Sequence, residues 1–431
     1  MATAVPAYSV RPAATPRARL DSVDLLRGIV MVIMVIDHTR DFVHGPALRY
    51  DPTDLTTTSF AIFMTRWITH FCAPVFVFLA GVSAYLQKMR GKTTPDLSRF
   101  LWTRGLWLIV VEVFLLHALI WFSLDFRFIG PLQVIWAIGW SMVVLAGLVY
   151  LPLRAVAVFG VAMIALHNTL DGVTSQAFPW MVLHQAGLVM LTDRGPLVWV
   201  QYPLVPWIGV MAAGYAFGSV YEREAERRVR IIRRLGLFLI AAFVLIRAMN
   251  IYSDPAPWSV QPTALFTALS FINATKYPPS LLYLLMTLGP ALVALAWFES
   301  RGRPDNSQRP SSNSQGPTPP RQRAAWELGV GSWEFSARSA LVTFGRVPLF
   351  FYLWQWVLTH IAAIVVNIIA GTSFAYLLVM PPAFFNPPPG TGFRLWVVYL
   401  CWVVIIAIEY PLCRWFAGVK QRRRDWWLSY L

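Results

Sequence analysis

Repeated apolar stretches of about 20 residues constrain this chain more than any other feature of its sequence. Ten segments are long enough to cross roughly 30 Å of hydrocarbon, and they lie near residues 25–43, 60–86, 106–122, 132–151, 155–170, 197–221, 235–251, 281–298, 341–370 and 395–416. Composition agrees, because 57% of residues are hydrophobic and only 13% are charged, against roughly 25% charged in an average soluble domain. The sequence therefore predicts an all-α, polytopic membrane protein with about ten transmembrane helices, in a range of nine to eleven.

Positive charges are distributed unevenly between the two predicted sides of the membrane. The chain has 36 Lys and Arg residues against 21 Asp and Glu, a formal net charge of +15. With the N-terminus in the cytosol, 27 of the 36 lie in inner segments, six in outer segments and three within helices. Since cytosolic loops are enriched in Lys and Arg, we expect a multi-pass protein of the plasma (inner) membrane with both termini cytosolic. The excess of Lys and Arg then reflects the orientation of the chain in the membrane, and no nucleic-acid partner is expected.

Composition along the chain divides it into five regions. Residues 1–20 are predicted to be a disordered basic tail, and residues 21–298 a transmembrane core of eight helices. Residues 299–337, rich in Ser, Pro, Gly, Asn, Gln and Arg, are predicted to be a mostly disordered cytosolic linker. Residues 338–419 would form the last two helices, the first of which contains Pro348, a residue that can break it. Residues 420–431 read as a basic, aromatic cytosolic tail.

The first predicted helix carries ionisable residues in the outer half of the membrane. Asp37 and His38 follow Leu25 by about 18 Å along a helix, at 1.5 Å per residue. Arg40 and Asp41 come within the next turn, and Asp41 shares a helix face with Asp37. Because ionisable groups at membrane depth are costly and by default mark function, this cluster is a candidate site.

The second and eighth predicted helices bring further polar groups to a similar depth. Arg66 and His70 are four residues apart on the second helix, so they point the same way. Pro74, four residues later, can loosen the helix and expose a backbone carbonyl. Lys276 precedes a Tyr-Pro-Pro-Ser turn at the outer start of helix eight, where a cation could bind an anionic substrate or a carbonyl oxygen.

Together these groups suit acid–base chemistry. A histidine can take a proton from a hydroxyl or amine nucleophile when a neighbouring carboxylate fixes its tautomer. The candidate catalytic residues are His38, His70 and Asp37. The candidate substrate-binding residues, which can stabilise developing charge, are Arg66, Arg40, Lys276 and Asp41. The same residues could instead form a proton-coupled transport site in a transporter or flippase, or face headgroups in a non-catalytic scaffold.

The remaining charged residues at membrane depth are predicted to be structural. We expect an ion pair between Asp24 and Arg27, a buried hydrogen-bonding role for Glu112 and outward snorkelling of Arg247. Glu409 could pair with a buried arginine such as Arg346. The three cysteines are an odd number without a CxxC pair, so neither a disulfide framework nor a zinc site is indicated. No metal is expected.

Five segments of the chain resemble a known family. They are RLDSVDLLRGIVMVIMVIDHTRD, RWITHFCAPVFVFLAGVSAYL, YPLVPWIGVMAAGYAFG, NATKYPPSLLYLLMTLGP and YPLCRWFAGVKQRRRDWWLSYL. These segments are similar to the bacterial branch of the heparan-α-glucosaminide N-acetyltransferase-like membrane proteins. The resemblance covers residues 19–431 apart from 300–325, and its most specific parts are the RLxSVDxxRG opening and the PVFVFLAG segment.

The resemblance implies a transmembrane acyltransferase that uses acetyl-CoA from the cytosol. In relatives the acceptor is an amino sugar on the other face, and a histidine in the outer loop between the first two helices is essential. That loop histidine has no counterpart here at matching spacing, and His38 and His70 fall where relatives carry an amide and an acidic residue. We therefore expect an acyl-CoA donor drawn to the basic segments 88–92 and 99–104, membrane lipid around the protein, and a glycan or lipid-linked sugar as acceptor.

Overall fold

A computed structural model of the chain describes residues 21–45, 50–193, 195–301, 337–381, 384, 386–423 and 425–430. Fifteen α-helices make up most of this part of the chain: α1 (Asp21–Val43), α2 (Phe60–Trp67), α3 (Cys72–Met89), α4 (Thr94–Val110), α5 (His117–Trp121), α6 (Val134–Leu148), α7 (Leu153–Leu166), α8 (Phe178–Leu183), α9 (Leu204–Phe217), α10 (Ala225–Met249), α11 (Ala264–Ile272), α12 (Leu281–Arg301), α13 (Ala337–Arg346), α14 (Pro348–Ile369) and α15 (Leu395–Arg422). A 3₁₀ turn at Ile68–Phe71 joins α2 to α3, and a π-helical segment at Val111–Leu116 joins α4 to α5.

Seven of the described helical segments are long and apolar enough to cross a membrane: Phe60–Met89, Thr94–Trp121, Leu153–Leu170, Leu204–Glu222, Leu281–Arg301, Pro348–Ile369 and Leu395–Arg422. They confirm a mostly helical, multi-pass membrane protein. Helix α6 is apolar but has only 15 residues, while α1 and α10, with 23 and 25 residues, carry several charges. The total of about ten spans and the cytosolic side of the termini stay predictions.

A small sheet departs from the purely helical prediction. Strands β1 (Phe128–Leu132), β2 (Gly187–Met190) and β3 (Leu197–Val200) lie in the order β1-β3-β2, with β3 parallel to β1 and antiparallel to β2. The segment predicted as one helix over 197–221 therefore begins as a strand. Residues 197–200 alternate between half-buried and buried positions, as in a strand with one covered face, and the helix begins only after Pro203.

The overlong ninth segment is also divided. Helix α13 ends at Arg346, and α14 begins with Pro348 in its first turn, where the missing N–H of proline breaks no helical hydrogen bond. Residues 1–20 and 302–336, which hold the predicted disordered tail and nearly all of the predicted linker, lie outside the described residues.

Helix α1 is largely enclosed within the bundle, although it is rich in charge. It packs against α3, α12, α13, α14 and α15, and most of its side chains are buried, including Asp24, Asp37 and Arg40. Polar groups in a membrane bundle are favoured on the interior rather than against lipid. The charges of α1 are therefore enclosed by protein. The start of α1 and the end of α15 lie at the same end of the bundle, since Arg27 and Lys420 line one cavity.

Close crossings between helices depend on glycine pairs. Gly105 of α4 faces Gly139 of α6, and a Cβ atom added at these positions would lie 2.6 Å and 2.8 Å from the carbonyl oxygen of the other glycine. Two further crossings, α7 with α9 and α10 with α12, have the same arrangement at Gly160 with Gly209 and at Gly236 with Gly289. Glycine allows backbones to approach closely where lipid supplies no hydrophobic driving force between helices.

Two structural roles predicted for charged residues are confirmed. Arg27 lies 3.0 Å from Asp24 and also donates to the Gly345 carbonyl at 3.1 Å, which ties α1 to α13. Glu112, in the π-helical segment, accepts a hydrogen bond from the backbone N–H of Gln133 at 2.8 Å. It is therefore a buried hydrogen-bonding partner.

Two other predictions are wrong. Arg247 does not snorkel outward, because it is 1% exposed and donates to the backbone carbonyls of Ala256, Ser270, Phe271 and Asn273. Glu409 does not pair with Arg346: the Cys413 thiol lies 3.5 Å from Glu409, whereas Arg346 contacts Asp21 at 3.2 Å and Asp24 at 4.0 Å.

The α4–α6 crossing yields a stability prediction. We expect Gly139→Leu to lower the free energy of unfolding by about 1–3 kcal/mol, because its side chain would collide with the α4 backbone. Gly147→Leu in the same helix is the matched control, since nothing lies within 4 Å of a Cβ atom there. Thermal unfolding midpoints in detergent test the difference, and equal midpoints for the two variants would contradict the close crossing.

Candidate functional site

One carboxylate, that of Asp37, contacts three cationic side chains at the centre of the candidate site. Asp37 on α1 forms a salt bridge with Arg66 on α2, lies 2.9 Å from Arg40 and lies 3.8 Å from the ammonium of Lys276 in the loop before α12. The Asp37 side chain is only 11% exposed. A carboxylate at this depth is costly unless it is paired, so these contacts hold three separate parts of the chain together.

The charges of the site do not cancel. Arg40 makes a second ion pair with Asp41 at 2.6 Å, and the Asp41 side chain is 47% exposed. Two carboxylates therefore face three cations, which leaves a formal excess of one positive charge while the histidines are neutral. Such an excess favours an anion or an oxygen atom that becomes negative during a reaction.

His38 is held in a defined orientation by helix α14. Its Nδ1 atom lies 2.9 Å from Oε1 of Gln355, and the Gln355 amide nitrogen donates to the Tyr352 carbonyl at 3.3 Å. Because Oε1 can only accept, the neutral His38 ring donates from Nδ1 and keeps its basic lone pair on Nε2. The ring also stacks on Trp356, with centroids 3.9 Å apart. Gln355 thus takes the orienting role that the sequence assigned to Asp37.

His70 lies nearby in a different setting. It belongs to the 3₁₀ turn before α3, and its ring meets the Tyr283 ring edge to face at 5.4 Å. Its backbone carbonyl accepts a hydrogen bond from the Tyr283 hydroxyl at 2.7 Å. In a regular helix this carbonyl would accept from residue 74, which is Pro74 and has no N–H. The prediction that Pro74 loosens the helix and exposes a carbonyl is confirmed.

The loop that carries Lys276 is held in place by Asp254 and Arg247, neither of which is among the site residues predicted from the sequence. Asp254 accepts hydrogen bonds from the backbone N–H of Thr275 at 2.9 Å, from its hydroxyl at 2.7 Å and from the Ser280 hydroxyl at 2.7 Å. Arg247 holds the start of the same loop through the Asn273 carbonyl at 2.7 Å. Sequence reasoning had no local signal for these contacts, because they join residues about 20 or more positions apart.

A small polar cavity of about 50 Å³ lies at this cluster. The predicted residues that line it are Asp37, His38, Asp41, Arg66 and Lys276. Other polar side chains, which the sequence did not indicate, also line it: Thr69, Gln133, Gln201, Tyr202, Tyr277 and Tyr352. Neither His70 nor Arg40 is among the lining residues, so the structure brings His38, but not His70, to this cavity.

A larger and mainly apolar chamber adjoins the polar cavity. Its volume is about 290 Å³, and the two share the side chains of Met34, Phe76, Val134 and Tyr352. The chamber follows α1 toward its start, and the basic residues that line it are Arg27, Arg104 and Lys420. Arg27 and His38 are eleven residues apart, which is about 16 Å along the helix. The chamber therefore extends from a basic end toward the polar cluster.

Two further observations bear on the chemistry. His44, directly after α1, is buried, and this burial together with the nearby Arg40 guanidinium lowers its pKa to about 4. It is therefore neutral near pH 7.

No group of three or more His, Cys, Asp or Glu side chains in the described part of the chain is arranged to hold a metal ion.

The Lys276 loop yields a second prediction. We expect Asp254→Ala to lower the free energy of unfolding by about 1–3 kcal/mol, because it leaves the donors of Thr275 and Ser280 without their partner. Asp125→Ala is the control, since Asp125 pairs with Arg127, whose side chain is 91% exposed, and exposed pairs contribute little. Thermal unfolding in detergent checks both. A larger loss in the Asp125 variant would contradict the role of Asp254.

Comparison with known proteins adds to this geometry. Residues 19–253 match the family model described as heparan-alpha-glucosaminide N-acetyltransferase, catalytic. A search of curated proteins gives no match. The matched region is more than half of the chain, and it contains Asp37, His38, Arg66 and His70. The chain therefore belongs to the heparan-alpha-glucosaminide N-acetyltransferase catalytic family.

Proposed function

We propose that this protein is an integral membrane acetyltransferase of the plasma (inner) membrane. It would take an acyl group, acetyl in the family, from cytosolic acyl-CoA and transfer it to an amine or hydroxyl of a glycan or lipid-linked sugar at the outer face. The observation that carries the proposal is the pairing of an apolar, basic-ended chamber with a polar cavity lined by His38. Membership of the family supports acetyl transfer as the reaction.

The chamber has the character that a CoA thioester requires. The phosphates of CoA would bind at the basic end, near Arg27, Arg104 and Lys420, because guanidinium groups bind phosphate through charge-assisted hydrogen bonds. The less polar pantetheine arm would lie in the apolar chamber, with the thioester near Met34 and Tyr352. This assignment puts the basic end on the cytosolic side, in agreement with the distribution of Lys and Arg along the chain.

His38 would act as the general base. Its Nε2 atom would take the proton from the acceptor nitrogen or oxygen while that atom attacks the thioester carbonyl carbon. The resulting oxyanion would be stabilised by Lys276 or Arg66, whose charges are only partly balanced by Asp37. Collapse of the intermediate breaks the C–S bond, and the proton passes from His38 to the CoA sulfur. Gln355 would keep the reactive nitrogen correctly aimed.

The same cluster also fits the alternative of a proton-coupled transporter or flippase, which would move its substrate without covalent change. Transfer chemistry is favoured here by the family and by the fixed tautomer of His38. The two functions give different products. An acetyltransferase releases free CoA thiol and an acetylated acceptor, whereas a transporter gives proton-dependent uptake of unmodified substrate in proteoliposomes.

The role of His38 can be measured directly. We expect His38→Ala to reduce thiol release from acetyl-CoA, with glucosamine as the acceptor probe, by roughly 100-fold or more, because general bases contribute about 10²–10⁴-fold. His70→Ala should retain more activity, since His70 does not line the polar cavity. Wild-type activity in the His38 variant would contradict the assignment. If purified wild-type protein neither binds nor consumes acyl-CoA, the enzyme function itself is wrong.

The basic end of the chamber gives a separate prediction about the donor. We expect Arg104→Gln to raise the KM for acetyl-CoA roughly tenfold, because a hydrogen bond to a charged group contributes about 1.5–3 kcal/mol. The control is Arg154→Gln, an exposed arginine on α7 that does not line the chamber. Steady-state kinetics at two salt concentrations checks both variants. An unchanged KM in the Arg104 variant would place the donor elsewhere.

A further inference from the structure

We propose that a neck between the two cavities limits the transferred acyl group to two or three carbons. The neck consists of Met34, Phe76, Val134 and Tyr352, the four side chains that line both cavities. The proposal rests on the proposed function, because it concerns the donor used at the same site. Beyond the proposed function, the neck would select the donor by the length of its acyl group, and the four neck residues would make that selection.

The neck is formed where four helices meet. Met34 lies on α1, Phe76 on α3, Val134 at the start of α6 and Tyr352 on α14. Met34, Val134 and Tyr352 are 5%, 6% and 4% exposed, and the Tyr352 hydroxyl donates to Gln133 at 3.2 Å. Side chains packed from four directions cannot all move aside for a bulky group, because protein interiors are close-packed.

The space beyond the neck is small. The polar cavity measures about 50 Å³, and a water molecule needs roughly 10–15 Å³ on this measure, so the cavity has room for only a few small groups. The thioester would come from the chamber side, where the arm of the donor fills the apolar space. The acyl group would therefore project past the neck and share the polar cavity with the attacking atom of the acceptor.

The lining of the polar cavity also opposes a long acyl chain. Each added methylene would lie against Asp37, Arg66 and Lys276, and it would displace water from charged groups without supplying hydrogen bonds. An acetyl group places one methyl group there. The geometry thus sets a limit through both volume and polarity, and the limit applies to the part of the acyl group that passes the neck into the polar cavity rather than to the chamber.

The test is a series of donors that differ only in acyl length. Thiol release is measured with acetyl-, propionyl-, butyryl- and hexanoyl-CoA, using purified full-length protein and one acceptor. We expect kcat/KM to fall roughly tenfold or more for each methylene beyond propionyl, since one methylene in a fitted pocket changes discrimination by about 10–200-fold. Met34→Ala and Phe76→Ala should each raise the ratio of butyryl to acetyl transfer at least tenfold.

Ile138→Ala is the matched control, because Ile138 lines the chamber but not the polar cavity. It should leave the butyryl-to-acetyl ratio unchanged. Both donors are measured on the same preparation of each variant, so a loss of active protein does not change the ratio. If either Met34→Ala or Phe76→Ala fails to fold, the other still tests the neck.

The outcomes separate this inference from the proposed function. A wild-type enzyme that uses acetyl- and hexanoyl-CoA equally well would overturn the neck and leave the acyltransferase intact. An unchanged ratio in both neck variants would overturn it as well. A protein that consumes none of the four donors would instead overturn the proposed function.

Discussion

The contacts of Asp37 are the constraint on which the rest of the site depends. One buried carboxylate faces Arg66, Arg40 and Lys276, which come from α2, α1 and the loop before α12. Without it, three cations at this depth would repel one another in a medium that solvates charge poorly, and Arg66 and Lys276 would lose this carboxylate partner. The carboxylate therefore fixes the relative positions of three chain segments. His38 is the next residue on the same helix, so its position follows from the same contacts.

The bundle encloses a helix that carries several charges. Helix α1 lies among five other helices, and its charges pair with protein groups at both ends, through Asp24 with Arg27 and through Asp37 with Arg66. Three other pairs of helices, α4 with α6, α7 with α9 and α10 with α12, cross closely at paired glycines, which lets backbones meet without large side chains between them. Helix α1 itself meets α13 closely at Gly28 and Gly345, and the two adjoining cavities lie beside its later turns.

Local sequence patterns predicted what depends on local geometry. Apolar length predicted most helices, and depth along the helix selected Asp37, His38 and Arg66. The missing N–H of Pro74 predicted an exposed carbonyl, which Tyr283 binds. The patterns could not predict Gln355 as the partner of His38, because the two are 317 positions apart. Arg247 was misjudged for a related reason: the loop carbonyls that bind it belong to a later segment, so its burial depends on tertiary structure. The strand at 197–200 was missed because a short apolar strand and a buried helix have the same composition.

The partners of His38 and Asp37 have a consequence for how the family should be delimited. The match to the family model ends at residue 253, yet Lys276, Tyr352, Gln355 and Trp356 all follow it, and they supply one cation, part of the cavity wall and both supports of the His38 ring. A fragment cut at the end of the matched region would keep His38 and lose Gln355 and Trp356, which hold its ring. The segment that sequence similarity defines is therefore smaller than the unit that could act, and this unit extends from α1 to at least α14.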